Sequence, residues 1–401
     1  MINGKDIVMV SIQPWDIEIG SNSRNITRIF AKNNRVLYVN PPIDIYTHLI
    51  YRSKKKVQRR IEVFKGHLSD IEKIDTNIWN LHPNSLVTPI NWVSSHRLFK
   101  KLNERNSKAF AMNIKSALER LGFKDYILFN DSSMFLGLHL KKYLEPNLYT
   151  YYVRDNLIKV PYFQKHGERL EPDVIKQADV IVNNSEYYTD YSLKYNKNSI
   201  MVGQGCDLSV FQANTDDDVP DDLKHIKGPI IGYVGSLTTL RLDVDILKYI
   251  ASERPNWSIV LIGPEDDNFK DTQLHQIKNI HFLGFKEIED LSSYVKRFDV
   301  AMNPQTVNEI TIGNYPRKID EYLALGRPVV ATHTRAMDMF SDYVYLANTK
   351  QDYVTLIEKA LVEHTSDIGE RQRVFAFKHT WEHNVNNIYE AMDSTINQLQ
   401  Q

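Results

Sequence analysis

The sequence predicts an α/β protein built from two doubly wound, Rossmann-like domains. Three observations carry that expectation. Short apolar runs alternate with helix-period segments through most of the chain, the alternation restarts near residue 230, and 401 residues are enough for two cores. With 42% hydrophobic and 25% charged residues, the chain is too apolar and too mixed in charge for disorder.

Ile7–Ile12 reads as a first strand. Ser23 reads as the N-cap of a helix through Lys32, with Ile26, Ile29 and Phe30 on one face. Val36–Val39 is a second strand, stopped by Asn40-Pro41-Pro42. Further strands are expected at Tyr126–Phe129, Leu148–Val153, Val180–Val182 and Ser199–Val202, with a long helix at Arg97–Leu121. Strand–helix alternation of this kind argues for a parallel sheet covered on both faces.

Asp216-Asp217-Asp218 and Pro220-Asp221-Asp222 read as a linker. After it come strands at Ile230–Val234, Ser258–Ile262, Ile280–Leu283, Val300–Met302, Val329–Ala331 and Val344–Leu346. Helices are expected at Leu242–Ile250, between Pro316 and Leu325, at Asp352–Val362 and at Trp381–Ile396. The expected domains are 1–208, 209–378 and a terminal segment, 379–401, returning to the first domain.

No apolar run approaches the roughly 18 residues needed to span a membrane. Met1–Val10 carries Lys5 and Asp6 where a secretory segment would be apolar, and a cytoplasmic protein is expected. The single cysteine, Cys206, excludes an internal disulfide and a multi-cysteine metal site, and reads as a buried structural residue.

A net charge of −1 hides a division: residues 1–200 hold 30 Lys+Arg against 20 Asp+Glu, and the remainder is correspondingly acidic. A basic half suits an anionic surface (membrane lipid, polyphosphate or nucleic acid), or the two surfaces have simply diverged. Arg52, Lys54, Lys55, Lys56, Arg59 and Arg60 concentrate the charge, interleaved with Tyr51, Val57 and Ile61. Such a stretch can lie on anionic lipid or form a solvated loop. No nucleic-acid motif accompanies it.

In the second half, Gly235 follows the strand Ile231–Val234 and lets backbone approach a phosphate. Arg241 lies just beyond that turn, and Lys318 opens a helix; either cation can neutralise charge on a leaving diphosphate. Glu321, three residues after Lys318, shares its helix face and can accept the two hydroxyls of a ribose; the same spacing also permits a plain surface Lys–Glu pair. Asp243-Val244-Asp245 has the spelling of a metal-binding D-x-D but lies at a helix start, where Asp243 is expected to cap.

Four stretches taken together carry a resemblance: Ile231–Leu237, Trp257–Pro264, Asn279–Phe285 and, most strongly, Pro316–Thr332 (PRKIDEYLALGRPVVAT). They resemble the nucleotide-binding domain of GT-B glycosyltransferases, specifically the large retaining family four, glycosyl transferases group 1. Arg241-Leu242-Asp243 after the glycine turn is similar to enzymes of teichuronic-acid-type and other surface polysaccharides. The resemblance implies a metal-independent retaining glycosyltransferase, with a nucleotide-diphosphate sugar of UDP or GDP type as co-substrate and no further cofactor. It implies diphosphate contacts from Arg241 and Lys318, and donor contacts from Gly235, Ser236, Gly263, Glu321 and the base loop at Leu283 and Phe285. The family's first glutamate of an E-x7-E pair is absent, because Gly313 stands there. Either Glu309 from a longer loop or backbone N–H groups around Ile312, Gly313 and Asn314 would hold the donor sugar.

In the first half, Gly20 ends the loop after strand one, where a helix N-terminus favours an anion; an ordinary capped helix start is the alternative. Trp15 stacks on a sugar or packs its loop. Asp155 matches an aspartate that in the family often follows a histidine, here replaced by Arg154; it would orient the acceptor or stabilise charge on the sugar, or cap a helix. Asn184-Ser185-Glu186 and Gly205-Cys206-Asp207 resemble family segments near the domain junction. The acceptor implied is a saccharide or lipid-linked saccharide. The alternatives are a nucleotide-sugar 2-epimerase of the same fold, a two-domain protein that binds a sugar or nucleotide without chemistry, and a degenerate transferase acting as a scaffold.

Overall fold

The computed structural model describes residues 2–17, 20–44, 55–212 and 219–400. Arg52, Lys54, the side chains of Lys55 and Lys56, and the turn Asp216-Asp217-Asp218 lie outside the described residues. The chain divides by its internal contacts into two units: Met1–Gly203 with Asn384–Gln401, and Gln204–His383.

The strands of the first unit are β1 (Asp6–Ser11), β2 (Arg35–Val39), β3 (Ile71–Asp75), β4 (Ile78–Leu81), β5 (Ile127–Asp131), β6 (Leu148–Val153), β7 (Val180–Asn183) and β8 (Ser199–Met201). They form one sheet in the order β3-β4-β2-β1-β5-β6-β7-β8. Every pairing is parallel except β3 with β4. All residues of β1, β5, β6 and β7 are buried, which is why they read as continuous apolar runs. The helix His96–Leu121 starts one residue before the expected Arg97; Ser95 caps it by accepting from the Leu98 amide, and Gly122, at φ 63°, closes it.

The helix after β1 spans Asn22–Phe30, with Ser21 rather than Ser23 at its N-cap. The Ser23 hydroxyl instead joins a buried chain that includes Ser11 and Tyr38. The terminal helix Trp381–Leu399 belongs, from Asn384 onward, to this unit. Asn384 donates to the carbonyls of Val202 and Gly203, and Tyr389 stacks on Phe30 and accepts from Asn34.

The second unit contains β9 (Ile230–Val234), β10 (Ser258–Ile262), β11 (Ile280–Phe282), β12 (Val300–Asn303), β13 (Val329–Thr332) and β14 (Tyr345–Ala347). The order is β11-β10-β9-β12-β13-β14, all parallel. Its faces are covered separately. Val260, Ile262 and Ala301 pack into one buried cluster, while Ile259, Leu261, Val300 and Met302 pack into another.

One buried acid has a measurable consequence. Glu171, on the helix Pro161–Gln177, is 2% exposed and accepts from the Tyr151 hydroxyl at 3.1 Å. Loss of water around it pushes its carboxyl up to about 7. The unfolded chain therefore ionises first, and stability falls as pH rises from about 4.5 to about 7. Glu171→Gln keeps an acceptor for Tyr151. It is expected to match the parent at pH 4.5 and to exceed its stability at pH 8 by on the order of 3 kcal/mol, read from urea denaturation at both pH values.

Candidate functional site

The order of the second sheet reverses between β9 and β12, and crevices at such a reversal, outside the carboxyl ends of the strands, are where open α/β sheets bind ligands. The residues expected to hold a diphosphate lie there. Gly235 follows β9 at φ 147°, and its amide bonds the carbonyl of Ile262 at the end of β10. A Cβ on Gly235 would stand 2.8 Å from the Tyr233 hydroxyl and 2.9 Å from Lys318 Nζ. A Cβ on Gly263, at φ 143°, would stand 1.9 Å from the Gly235 carbonyl oxygen. Both positions thus exclude a side chain, and the two turns interlock backbone to backbone.

Lys318 lies in the first turn of the helix Arg317–Ala324, between β12 and β13. Its ammonium donates to the Tyr233 hydroxyl at 2.5 Å and lies 4.1 Å from the centre of that ring. Tyr233 is 1% exposed, and its ring forms the floor beneath the lysine. Sequence reasoning missed this residue: a tyrosine inside an apolar strand reads as core, and only the packing of the Lys318 helix over β9 reveals its second contact.

Glu321 follows on the same helix and keeps some access to solvent. Its carboxylate has no hydrogen-bond or ion-pair partner among the described residues, so it does not form the plain surface pair with Lys318. Loss of water pushes its carboxyl up, opposed by the charges of Arg317 and Lys318. An ionisable group left unpaired in a desolvated place is a binding-site signature. Next to it, Asp320 is fully buried and accepts from Tyr315 and pairs with His379, each at 2.7 Å, which fixes the helix that carries Lys318 and Glu321.

Arg241 is exposed, and its guanidinium makes no ion pair among the described residues. Its backbone is held: its amide bonds Thr238, and its carbonyl accepts from Thr306. Asn308 donates to the Leu240 carbonyl at 3.0 Å, joining the loops that follow β9 and β12. Asp243 accepts from the amides of Asp245 and Ile246, so it caps the helix Val244–Glu253 as expected.

The loop carrying Glu309 and Ile312–Asn314 is wound around Asn308, whose side-chain oxygen accepts from Ile310 and Thr311. The amide of Ile312 bonds Asn308, and that of Asn314 bonds Thr311. Those two N–H groups are already used, which counts against backbone donors at 312 and 314; Gly313 is buried, and Glu309 is exposed. Ser236 is exposed, with its carbonyl facing the Tyr233 hydroxyl. Leu283 packs on the core beyond β11, and Phe285 is 64% exposed. Cys206 is buried, 3% exposed.

In the first unit the order reverses between β1 and β5. Arg154, after β6, is buried and grips Asp131 through Nε and Nη2, at 2.8 and 3.3 Å. Its Nη1 donates to Asp155 at 2.5 Å. Asp131 also accepts from Ser11, which leads to Ser23 and Tyr38. Asp155 is half exposed and is not a helix cap; Asn156 stands at that position before Leu157–Lys159. Gly20 is exposed. Trp15 packs edge-on against Tyr38 at 5.0 Å, the loop-packing use.

Of the basic stretch, Arg59 pairs with Glu72 at 2.7 Å and Arg60 with Asp16 at 3.6 Å. Arg59 and Arg60, the two of the six whose side chains are described, thus both have partners within the unit. No helix among the described residues is long and apolar enough to cross a membrane.

Residues 228–367 match the family model for glycosyl transferases group 1. A curated relative, the putative teichuronic acid biosynthesis glycosyltransferase TuaH of Bacillus subtilis (strain 168), is 24% identical over 230 residues, 55% of this chain and 57% of that protein. The chain thus spans little more than half the length of the curated relative it matches. Among solved structures, Anabaena HepE in complex with UDP is similar at TM-score 0.66 and 13% identity, covering 97% of this chain and 100% of its own. Sucrose-phosphate synthase from Thermosynechococcus elongatus follows at 0.64 and 13%, covering 98% and 100%. Trehalose 6-phosphate synthase from Burkholderia multivorans gives 0.66 and 10%, covering 100% and 98%. At these identities the likenesses show the fold, which is GT-B.

Proposed function

We propose that this GT-B chain, whose second unit is a glycosyl transferases group 1 domain, moves a sugar from a nucleotide-diphosphate donor to a saccharide or lipid-linked saccharide in bacterial surface-polysaccharide synthesis. The observation that carries the reading is the group at the β9/β12 reversal. A cation stands within 2.9 Å of the space beside a side-chain-free turn, and an unpaired carboxylate lies one helical turn away. A diphosphate laid against Gly235 and Gly263 finds backbone that no Cβ obstructs, with Lys318 and Arg241 as its counter-charges. Glu321 accepts the ribose hydroxyls. The base lies against the loop of Leu283 and Phe285, and Glu309 is the remaining side-chain candidate for the donor sugar.

Charge develops on the β-phosphate as the glycosidic bond breaks, and two cations, Lys318 held by Tyr233 and Arg241 free to reach it, stabilise it without a metal. The departing phosphate oxygen takes the acceptor proton on the face the acceptor approaches, so the anomeric configuration is retained. Asp155, held by Arg154, orients the acceptor. A uridine nucleotide is supported by HepE, a protein of similar fold seen in complex with UDP and with UDP-glucose. The protein acts in the cytoplasm, on the inner membrane face where a lipid-linked acceptor would be presented.

Thermal shift with UDP, GDP, ADP, CMP and dTDP tests this reading. One nucleoside diphosphate is expected to raise Tm equally with magnesium and with EDTA. At a hundred times its Kd, mass action supplies about 2.7 kcal/mol. No shift with any of the five would refute the donor site; a shift only with magnesium would refute metal independence.

A further inference from the structure

The helix Arg317–Ala324 carries both Lys318 and Glu321, yet it has only eight residues, and its N-cap, Pro316, brings no side-chain hydrogen bond. A helix that short does not hold itself in water, so its position is set by what grips it. One face is gripped by β9. Lys318 Nζ bonds the Tyr233 hydroxyl, and the Tyr322 hydroxyl accepts from the Val234 amide at 2.8 Å. At about 100° per residue, Asp320 projects roughly opposite Lys318 and Tyr322.

On that side the grip comes from the two segments by which the chain passes between its units, at residues 203–204 and 383–384. His379, just before the second passage, bonds from Nδ1 to Asp320 Oδ1 at 2.7 Å, and the Tyr315 hydroxyl takes Oδ2 at 2.7 Å. A carboxylate only accepts, so His379 Nδ1 carries the proton. The His379 ring is caged edge-on by Phe375 at 4.6 Å, Phe340 at 6.1 Å and Tyr315 at 6.4 Å. Its carbonyl accepts from the amide of Cys206, just after the first passage, and the Cys206 sulfur lies 3.9 Å from the Arg317 carbonyl oxygen at the helix start. All of these residues belong to the second unit.

We propose that His379 is a positioning residue for the donor: through Asp320 it sets the roll of this helix, and hence where Glu321 meets the ribose. Lys318 is tied separately to Tyr233, and its flexible stem keeps the ammonium there through a small roll. Glu321 has no tie of its own, so its aim depends on the backbone that carries it. The assignment rests on the donor site proposed above, to which it adds the group that aims the ribose carboxylate.

Calorimetric titration of the full chain tests it, with UDP or whichever of the five nucleoside diphosphates raises Tm. His379→Phe keeps the aromatic packing and removes the N–H; it is expected to weaken binding about tenfold, one hydrogen bond's worth. Asp320→Leu breaks the same link with an apolar side chain of similar size, a replacement that buried ion pairs often tolerate, and is expected to weaken binding alike. Either variant carries the test if the other fails to fold. His379→Asn, whose carboxamide N–H stands in for Nδ1, should restore most of the affinity. In a Glu321→Ala background either change should cost less than about twofold more, whereas in a Lys318→Ala background the effects should multiply. Effects that multiply in both backgrounds, or no rescue by asparagine, would reduce the pair to a support of the fold and overturn the assignment. A parent that binds none of the five, or Glu321→Ala binding as the parent does, would refute the donor site itself and the assignment with it.

Discussion

Lys318→Ala is expected to lower kcat by about 10²–10³-fold while leaving Tm within a few degrees of the parent. A single preorganised group aimed at developing charge accounts for that much in other transfer reactions. On the proposed reading Lys318 Nζ is such a group: it is held at 2.5 Å by the Tyr233 hydroxyl, over a ring whose face favours a cation. It stands at the turn where the leaving diphosphate would lie. Its removal leaves the Tyr233 hydroxyl facing the Ser236 carbonyl at 3.4 Å, so no buried donor is orphaned and folding should survive. Lys318→Arg is not expected to rescue. The planar guanidinium is wider than an ammonium, and Lys318 Nζ already stands 2.5 Å from the Tyr233 hydroxyl. Single-turnover rates with saturating donor separate this effect from weakened binding. A kcat within threefold of the parent would remove Lys318 from the leaving-group role.

Glu321→Ala is expected to move two quantities in opposite directions. Donor affinity should fall about ten- to hundredfold, the range for hydrogen bonds to a charged group. Stability of the free protein at pH 8 should rise, because folding strips part of the water from an unpaired carboxylate. The sign follows from the direction of its shift. A carboxyl raised on folding stays protonated where the unfolded chain has ionised, so stability declines as pH rises through the folded value, and deleting the group removes the decline. The same shift means that donor binding by the ionised parent weakens, on acidification, sooner than an ordinary carboxylate would cause. Calorimetric titration and urea denaturation of parent and variant check both signs. A carboxylate kept only for structure would lose stability on replacement instead of gaining it.

Much of the architecture was legible because parallel strands buried on both faces are spelled as short apolar runs. The boundaries of β6, β9 and β10 fall where the runs Leu148–Val153, Ile230–Val234 and Ser258–Ile262 begin and end. The hairpin β3–β4 was not legible. Ile71-Glu72-Lys73-Ile74-Asp75 is polar and partly exposed, and such an edge strand declares itself only through its partner. The helix Pro161–Gln177 was hidden by Gly167 and Pro172, which argue locally for a break. Gly167 is tolerated where a Cβ would stand 3.0 Å from the Met134 sulfur. Ser366–Ala376 carries no strong apolar stripe, since the residues it buries are Gly369, Gln372 and Ala376.

At the site, Gly235, Arg241, Lys318 and Glu321 were visible as residue types in a recognisable order. What joins them was not. The Lys318–Tyr233 contact spans 85 residues and depends on β9 and β12 being neighbours, and the Asp131–Arg154–Asp155 chain depends on β5 lying beside β6. The internal use of the Ile312 and Asn314 amides belongs to a loop whose winding around Asn308 has no periodic signature.

The central claim is that a nucleoside diphosphate binds at the β9/β12 reversal. Hydrogen–deuterium exchange of the full chain with and without the nucleotide selected by thermal shift places it directly. Slower exchange is expected in residues 234–243, 262–264 and 304–324, with segments 11–17 and 131–155 of the first unit unchanged. Protection confined to the first unit, or none in 234–243 and 304–324 at saturating nucleotide, would contradict the account.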